Sequence, residues 1–265
     1  MRVIISLTAI PPRFHGLSAL HKSLVAQTYP ADHIEINIPR TYRNPKFEGY
    51  STELIPQSFD IYFVDQDLGP ITKIAPTIQR YWGQKVLIIY LDDDRIYRPD
   101  LVETLVILAK QYPNSAIAAH TVAVRRQLRE AYWRRRPTLY RIFRLLTLNF
   151  WNPKRAADND TFRIAEGFGG VLVRPEFFDS QIAECPNHLR NVDDVWLSGM
   201  LTLNQHTIID VPSIRPSSQP NVVDGEDTGN FDALIQSREE NLDRFQANEQ
   251  CIRYLQDRFG LWNDL

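Results

Sequence analysis

The stretch Val86-Leu87-Ile88-Ile89-Tyr90-Leu91-Asp92-Asp93-Asp94 decides the reading of this chain. An apolar run of that length predicts a buried strand. Three consecutive carboxylates at its end repel one another unless water solvates them or a cation neutralises them. Oxygen-only ligands suit Mg²⁺ or Mn²⁺, which typically take one or two carboxylates and leave the rest of the shell to substrate phosphates and water. On an extended segment alternate residues face one side, so Asp92 and Asp94 can share an ion. An ordinary solvated turn or helix cap is the alternative.

Outward from that strand, similar apolar runs recur at Val3–Leu7, Ile34–Ile38, Ile61–Val64 and Ile117–Ala119, with helix-like segments between several of them. Leu17, Leu20, Leu24 and Val25 lie at helical spacing before Thr28-Tyr29-Pro30 stops the helix. This alternation predicts an α/β fold with a mostly parallel central sheet flanked by helices. In such sheets ligands bind outside the carboxyl ends of the strands, where the acidic triplet falls. Arg98-Pro99-Asp100 opens a helix through Lys110, with Asp100 placed to interact with the first turn.

Other clusters flank the triplet. Asn191-Val192-Asp193-Asp194-Val195-Trp196 opens a predicted helix over Val192–Leu203, where one aspartate can cap backbone N–H groups. A second, held near Val and Trp, is a candidate general base, because partial burial raises its proton affinity. Glu166-Gly167-Phe168-Gly169-Gly170 permits backbone close to a ligand, a weak signal alone. Asp65-Gln66-Asp67-Leu68-Gly69-Pro70-Ile71-Thr72-Lys73 offers Lys73 to a phosphate and Asp65 or Asp67 to a sugar or base, or is simply a Gly-Pro turn with a surface lysine. Thr8 to Arg13 offers a hydroxyl and a guanidinium at the first strand's end, or is a rigid Pro-Pro exit. No Walker loop and no dinucleotide fingerprint occurs.

Composition sets the bounds. At 265 residues, 43% hydrophobic and 23% charged, the chain reads as one globular domain of residues 1–265. Its parts are a nucleotide-binding half (1–120), an Arg-rich insertion (121–160), an acceptor and catalytic half (161–230) and a C-terminal helix (231–265). A net charge of −2 gives no reason to expect nucleic acid. Cys185 and Cys251 are too few for a disulfide scaffold, and a cytoplasmic setting is expected. No segment has the roughly 18–20 apolar residues of a membrane span.

Arginines 125, 126, 129, 134, 135, 136, 141 and 144 interleave with Tyr132, Trp133, Tyr140 and Phe143. That pattern suits peripheral contact of residues 125–144 with an anionic inner-membrane face, or an acidic acceptor. A solvated helical hairpin is the alternative. Residues 212–230 read as loop, and a closing amphipathic helix from about 234 to 259 uses Leu242, Phe245, Ile252, Leu255 and Phe259.

Taken in order, Ile5-Ser6-Leu7-Thr8-Ala9-Ile10-Pro11-Pro12-Arg13, Asp67-Leu68-Gly69-Pro70-Ile71-Thr72-Lys73 and Leu91-Asp92-Asp93-Asp94 resemble the motifs of small bacterial GT-A type nucleotide-sugar glycosyltransferases over roughly residues 1–210. The resemblance implies a GT-A (Rossmann-like) fold and transfer of a hexosyl or N-acetylhexosaminyl group from a nucleotide-diphosphate donor, a UDP-sugar, to a glycan, lipid-linked or other acceptor. It implies Asp92 and Asp94 as ligands of Mn²⁺ or Mg²⁺, and Thr8, Arg13, Asp67, Lys73, Asp92 and Asp93 around the nucleotide. Gly169 and Gly170 would face the sugar, and Asp194, partnered by Asp193, would be the base. The late histidine that many such enzymes place on the metal is missing, unless His206 serves. A sugar nucleotidyltransferase and a nucleotide-sugar-binding module without turnover are the rival expectations.

Overall fold

The structure is a computed structural model that describes residues 1–134, 162–223, 225–230 and 244–263. Seven strands form the central sheet: β1 (Arg2–Thr8), β2 (His33–Pro39), β3 (Asp60–Val64), β4 (Val86–Tyr90), β6 (Ser115–Ala118), β9 (Val171–Val173) and β10 (Thr207–Asp210). Their order is β10-β6-β9-β4-β1-β2-β3. Within it β1 runs parallel to β2 and β4, β2 to β3, and β6 to β10. Only β9 is antiparallel, to β4 and to β6. The sheet is therefore mostly parallel, as its apolar runs predict.

Period-two alternation feeds a core on each face. Ile4, Ile88 and Tyr90 join the helices α2 (Ala75–Arg80), α5 (Asp193–Leu203) and α6 (Arg244–Phe259) through Ile78, Trp196 and Leu255. Val3, Ile5, Leu7 and Ile89 join α1 (Leu17–Val25) and α3 (Leu101–Gln111) on the other face. Leu17, Leu20 and Leu24 of α1 are buried, but Val25 points outward and is 61% exposed, because the helix turns its last residue away from the sheet.

Several local expectations change. Asp100 does not cap α3: its carboxylate is held by the guanidinium of Arg98 two residues earlier. The stretch 212–230 contains short elements, among them β11 (Ser218–Pro220), paired with β5 (Arg95–Tyr97), and the hairpin β12 (Val222–Val223) with β13 (Glu226–Asp227). Of the Arg-rich segment, α4 (Val124–Arg134) is a helix with Arg125, Arg126 and Arg129 exposed; arginines 135, 136, 141 and 144 lie outside the described residues. So does Leu242, and the closing helix is described from Arg244. Among the described residues no helix is long and apolar enough to cross a membrane.

Candidate functional site

The parallel strands end on one edge, and because β9 opposes them, the turn that precedes it reaches the same edge. The acidic triplet leaves β4 there, but in a turn, not extended. The alternation expected of Asp92 and Asp94 therefore does not apply: Asp92 turns to one cation, and Asp93 and Asp94 share another. Asp92 accepts from Lys73 Nζ at 2.6 Å, and Asp93 from Arg13 Nη1 at 2.7 Å. Asp94 lies 3.5 Å from the same Arg13 nitrogen.

Lys73 is the hub. Its ammonium, 3% exposed, also pairs with Asp193 Oδ2 at 2.7 Å, so it ties the triplet to the start of α5. Burial pulls its proton affinity down, but Asp193, Asp92 and Asp194 outweigh that and hold it well above the ordinary lysine value. Its main-chain carbonyl accepts from Ser6 Oγ at 2.5 Å, and Ser6 shares a bond with Thr77 Oγ1, to which Asn37 donates. Three elements thus hold Lys73 in place. A surface lysine on a Gly-Pro turn it is not.

At the start of α5 neither aspartate caps the helix. Asp194 Oδ1 accepts the Gly167 N–H at 2.9 Å, and Oδ2 lies 3.9 Å from Arg244 Nη2. Burial first, then the charge of Asp193, pushes the Asp194 carboxyl well above the usual range, against Lys73 and Arg244. Asp94 is likewise pushed up to about 7, by burial and then by Asp93 and Asp92.

The glycine-rich turn contributes through a different residue from those expected. A Cβ on Gly167 would stand 2.5 Å from Lys73 Nζ, 2.9 Å from Asp92 Oδ1 and 3.3 Å from Asp194 Oδ1, so the chain passes through the carboxylate cluster only without a side chain. Gly170 instead faces Leu91 and Leu101 in the core, with φ +91°. Gly169 packs on His120, and its carbonyl accepts from Ser217.

The remaining expected residues sit apart from the charge cluster. Thr8 Oγ1 donates to Asn37 O at the end of β1. Asp67 accepts from the N–H groups of Arg43 and Gly69, both at 2.7 Å, and so shapes the turn before Lys73. Asp65 is exposed and pairs with Arg40. His206 stacks on Phe177 and bonds to Asn114 O beside the β10 edge.

Residues that sequence reasoning missed complete the edge. Arg13 Nη2 donates to Gly229 O, and Asn221 N to Asp94 O, so the hairpin loop closes over the triplet. Glu166, directly before the glycine-rich turn, lies 3.4 Å from His120 Nδ1, and its place beside the glycines is its sequence signal. Arg244, Gln127 and Asn248 had none, being ordinary polar positions on helices.

Among the described residues no group of three or more His, Cys, Asp or Glu has metal-holding geometry. The oxygen donors present nonetheless fit a hard divalent ion shared with substrate phosphates: burial, then Asp93 and Asp92, raise the proton affinity of Asp94, and a cation relieves the repulsion among the three carboxylates.

No family model and no curated protein matches the chain. Solved structures similar to it include Staphylococcus aureus TarS 1–349 in complex with UDP, 9% identical over 79% of this chain and 58% of that one, with a TM-score of 0.44. Mycobacterium tuberculosis glucosyl-3-phosphoglycerate synthase is 13% identical over 98% of this chain and 81% of that one, with a TM-score of 0.47. The WbbM bifunctional glycosyltransferase is 12% identical over 80% and 38%, with a TM-score of 0.36. The chain spans 58% of the TarS 1–349 chain and 35% of the longer TarS chain. At these identities and scores the likeness assigns neither a family nor an activity. What the described residues define is an α/β protein with a mostly parallel seven-stranded sheet and a charged cluster at its carboxyl edge.

Proposed function

We propose that this chain is a GT-A type glycosyltransferase that moves a sugar from a nucleotide-diphosphate donor, with UDP as the base-bearing half, to an acceptor hydroxyl on a glycan, lipid-linked or other compound. The observation that carries the reading is the meeting of Arg13, Lys73, Asp92–Asp94, Gly167 and Asp193–Asp194, far apart in sequence, at one sheet edge.

In this reading Asp92 and Asp94 hold Mn²⁺ or Mg²⁺ together with the donor's phosphates, and the ion supplies Lewis-acid stabilisation of the leaving diphosphate. Thr8, Arg13 and Asp67 lie on the nucleotide side. Lys73 pairs with Asp193, and burial, then the charge of Asp193 beside it, raises the proton affinity of Asp194, the property a general base needs. Gly167 donates its N–H to Asp194 Oδ1 and so fixes the carboxylate's orientation, with Oδ2 toward Arg244.

UDP binding by calorimetry, with Mn²⁺ and with chelator, tests the metal reading. Tight binding that needs Mn²⁺ and is lost in Asp94→Ala is expected; equal binding in EDTA contradicts it. The exposed arginines of α4 also make that helix a candidate for an anionic membrane face, at about 1 kcal/mol per cation. Changing Arg125, Arg126 and Arg129 to Gln should weaken pelleting with phosphatidylserine vesicles roughly a hundredfold on that scale. Unchanged pelleting removes the membrane contact.

A further inference from the structure

Strand β2 reads His33-Ile34-Glu35-Ile36-Asn37-Ile38-Pro39, and its alternation puts Ile36 and Ile38 in one apolar core and Glu35 and Asn37 on the opposite face. Both polar side chains are fully buried, in a strand that lies between β1 and β3. Apolar residues of like volume often serve a core as well as a buried ion pair does, so stability alone gives no reason for a carboxylate there. Its contacts give one. Arg80, the last residue of α2, donates from Nη1 to Glu35 Oε2, and from Nη2 to Asn37 Oδ1 at 3.0 Å. Tyr81 donates to the other Glu35 oxygen, and the Arg80 guanidinium lies 3.5 Å from the centre of the Tyr62 ring. A carboxylate, an amide and an aromatic face thus hold one guanidinium.

From Arg80 onward the direction of each bond is forced. A guanidinium only donates, so Asn37 turns its carbonyl to Arg80 and its amide nitrogen away. That nitrogen donates to Thr77 Oγ1 at 2.9 Å and to Ser6 Oγ at 3.3 Å. Ser6 Oγ lies 2.7 Å from Thr77 Oγ1 and 2.5 Å from the Lys73 carbonyl, which only accepts. The Ser6 proton therefore goes to Lys73, and Thr77 supplies the proton between the two hydroxyls. Ser6 and Thr77 are fully buried, so bulk water does not compete for these groups. The bonds run one way, from Arg80 to the main chain of Lys73, whose ammonium joins Asp92 to Asp193.

We propose that Arg80, anchored by Glu35 and Tyr62, is a positioning residue: through Asn37, Thr77 and Ser6 it fixes where Lys73 leaves the chain, and so where the ammonium stands between Asp92 and Asp193. Arg80 acts through Lys73 and not on a substrate. The consequence for turnover rests on the glycosyltransferase reading, but the positioning itself does not.

The Lys73 ammonium is the direct readout. Buried and paired with two carboxylates, its protons should exchange slowly enough to be followed by ¹H–¹⁵N NMR of the whole chain without ligand, with Lys73→Met assigning the resonance. Thr77→Val keeps the shape of the side chain but removes the proton given to Ser6. Arg80→Lys keeps a cation for Glu35 but lacks the second arm for Asn37. Each should speed exchange at Lys73 roughly two- to tenfold, the weight of one hydrogen bond. Thr77→Ser, which keeps the hydroxyl, should restore the wild-type rate. Ile78→Val, in the same helix, lowers Tm without touching these bonds and should leave the rate unchanged. Wild-type exchange in Thr77→Val and Arg80→Lys overturns the inference. So does equal acceleration in Ile78→Val, or a wild-type Lys73 that exchanges as fast as a surface lysine. With a UDP-sugar that the wild type turns over, kcat should fall by the same factor in Thr77→Val and Arg80→Lys, with the Kd for UDP within about twofold. Faster exchange at unchanged kcat would uphold the positioning and count against the place of Lys73 in the glycosyltransferase reading, a separable failure.

Discussion

Asp94 carries an electrostatic cost in the folded chain. Its carboxyl is pushed from 3.8 to about 7, so the folded protein holds that proton to higher pH than the unfolded chain does. Charging the group as pH rises from about 4 to about 7 therefore weakens the fold, by something on the order of 1–4 kcal/mol once both states are ionised. Asp94→Asn mimics the protonated form. Without divalent cations its Tm should approach wild type at about pH 4 and below and exceed it by several degrees at about pH 8. Parallel Tm curves across that range would remove the electrostatic account. Much at this scale was legible: an acidic triplet after an apolar strand announces strained charge. The Lys73–Asp193 pair was not, since the two residues lie 120 positions apart and only the folded sheet edge joins them.

The elements explain why the site is assembled where it is. The strands were readable as apolar runs, because burial on both faces leaves no room for polar residues. Capping was misread at α3 and α5: a carboxylate near a helix start caps it only when no better cation is in reach, and Arg98 and Lys73 are. Helix α5 is placed by its packing on α6, where Gly199 meets Leu255 so closely that an added Cβ would stand 2.6 Å from Leu255 Cδ1. Gly199→Val should force the two helices apart and cost roughly 1–3 kcal/mol, measured by chemical denaturation. It should also raise the exchange rate of amides in α6. A variant as stable as wild type would mean that the pair of helices adjusts freely and does not position Asp194 and Arg244.

Across the whole molecule, the fold gathers two acidic flanks around one lysine, Lys73. Arg13 and the acidic triplet stand on one flank of Lys73, and Asp193 and Asp194 on the other. Sequence motifs located the first flank. The second was legible only in its aspartates, because Arg244 is a helix residue whose approach to Asp194 depends on how α6 packs. The direct measurement is release of UDP from a panel of UDP-sugars in Mn²⁺, by wild type and by Asp194→Asn, beside the Kd of each for UDP. Turnover by the wild type is expected, with a loss of at least about a hundredfold in kcat for Asp194→Asn, the usual weight of a general base, and UDP binding unchanged. A variant that turns over as fast as wild type would contradict it, and a wild type that binds UDP without releasing sugar would leave a binding protein in place of an enzyme.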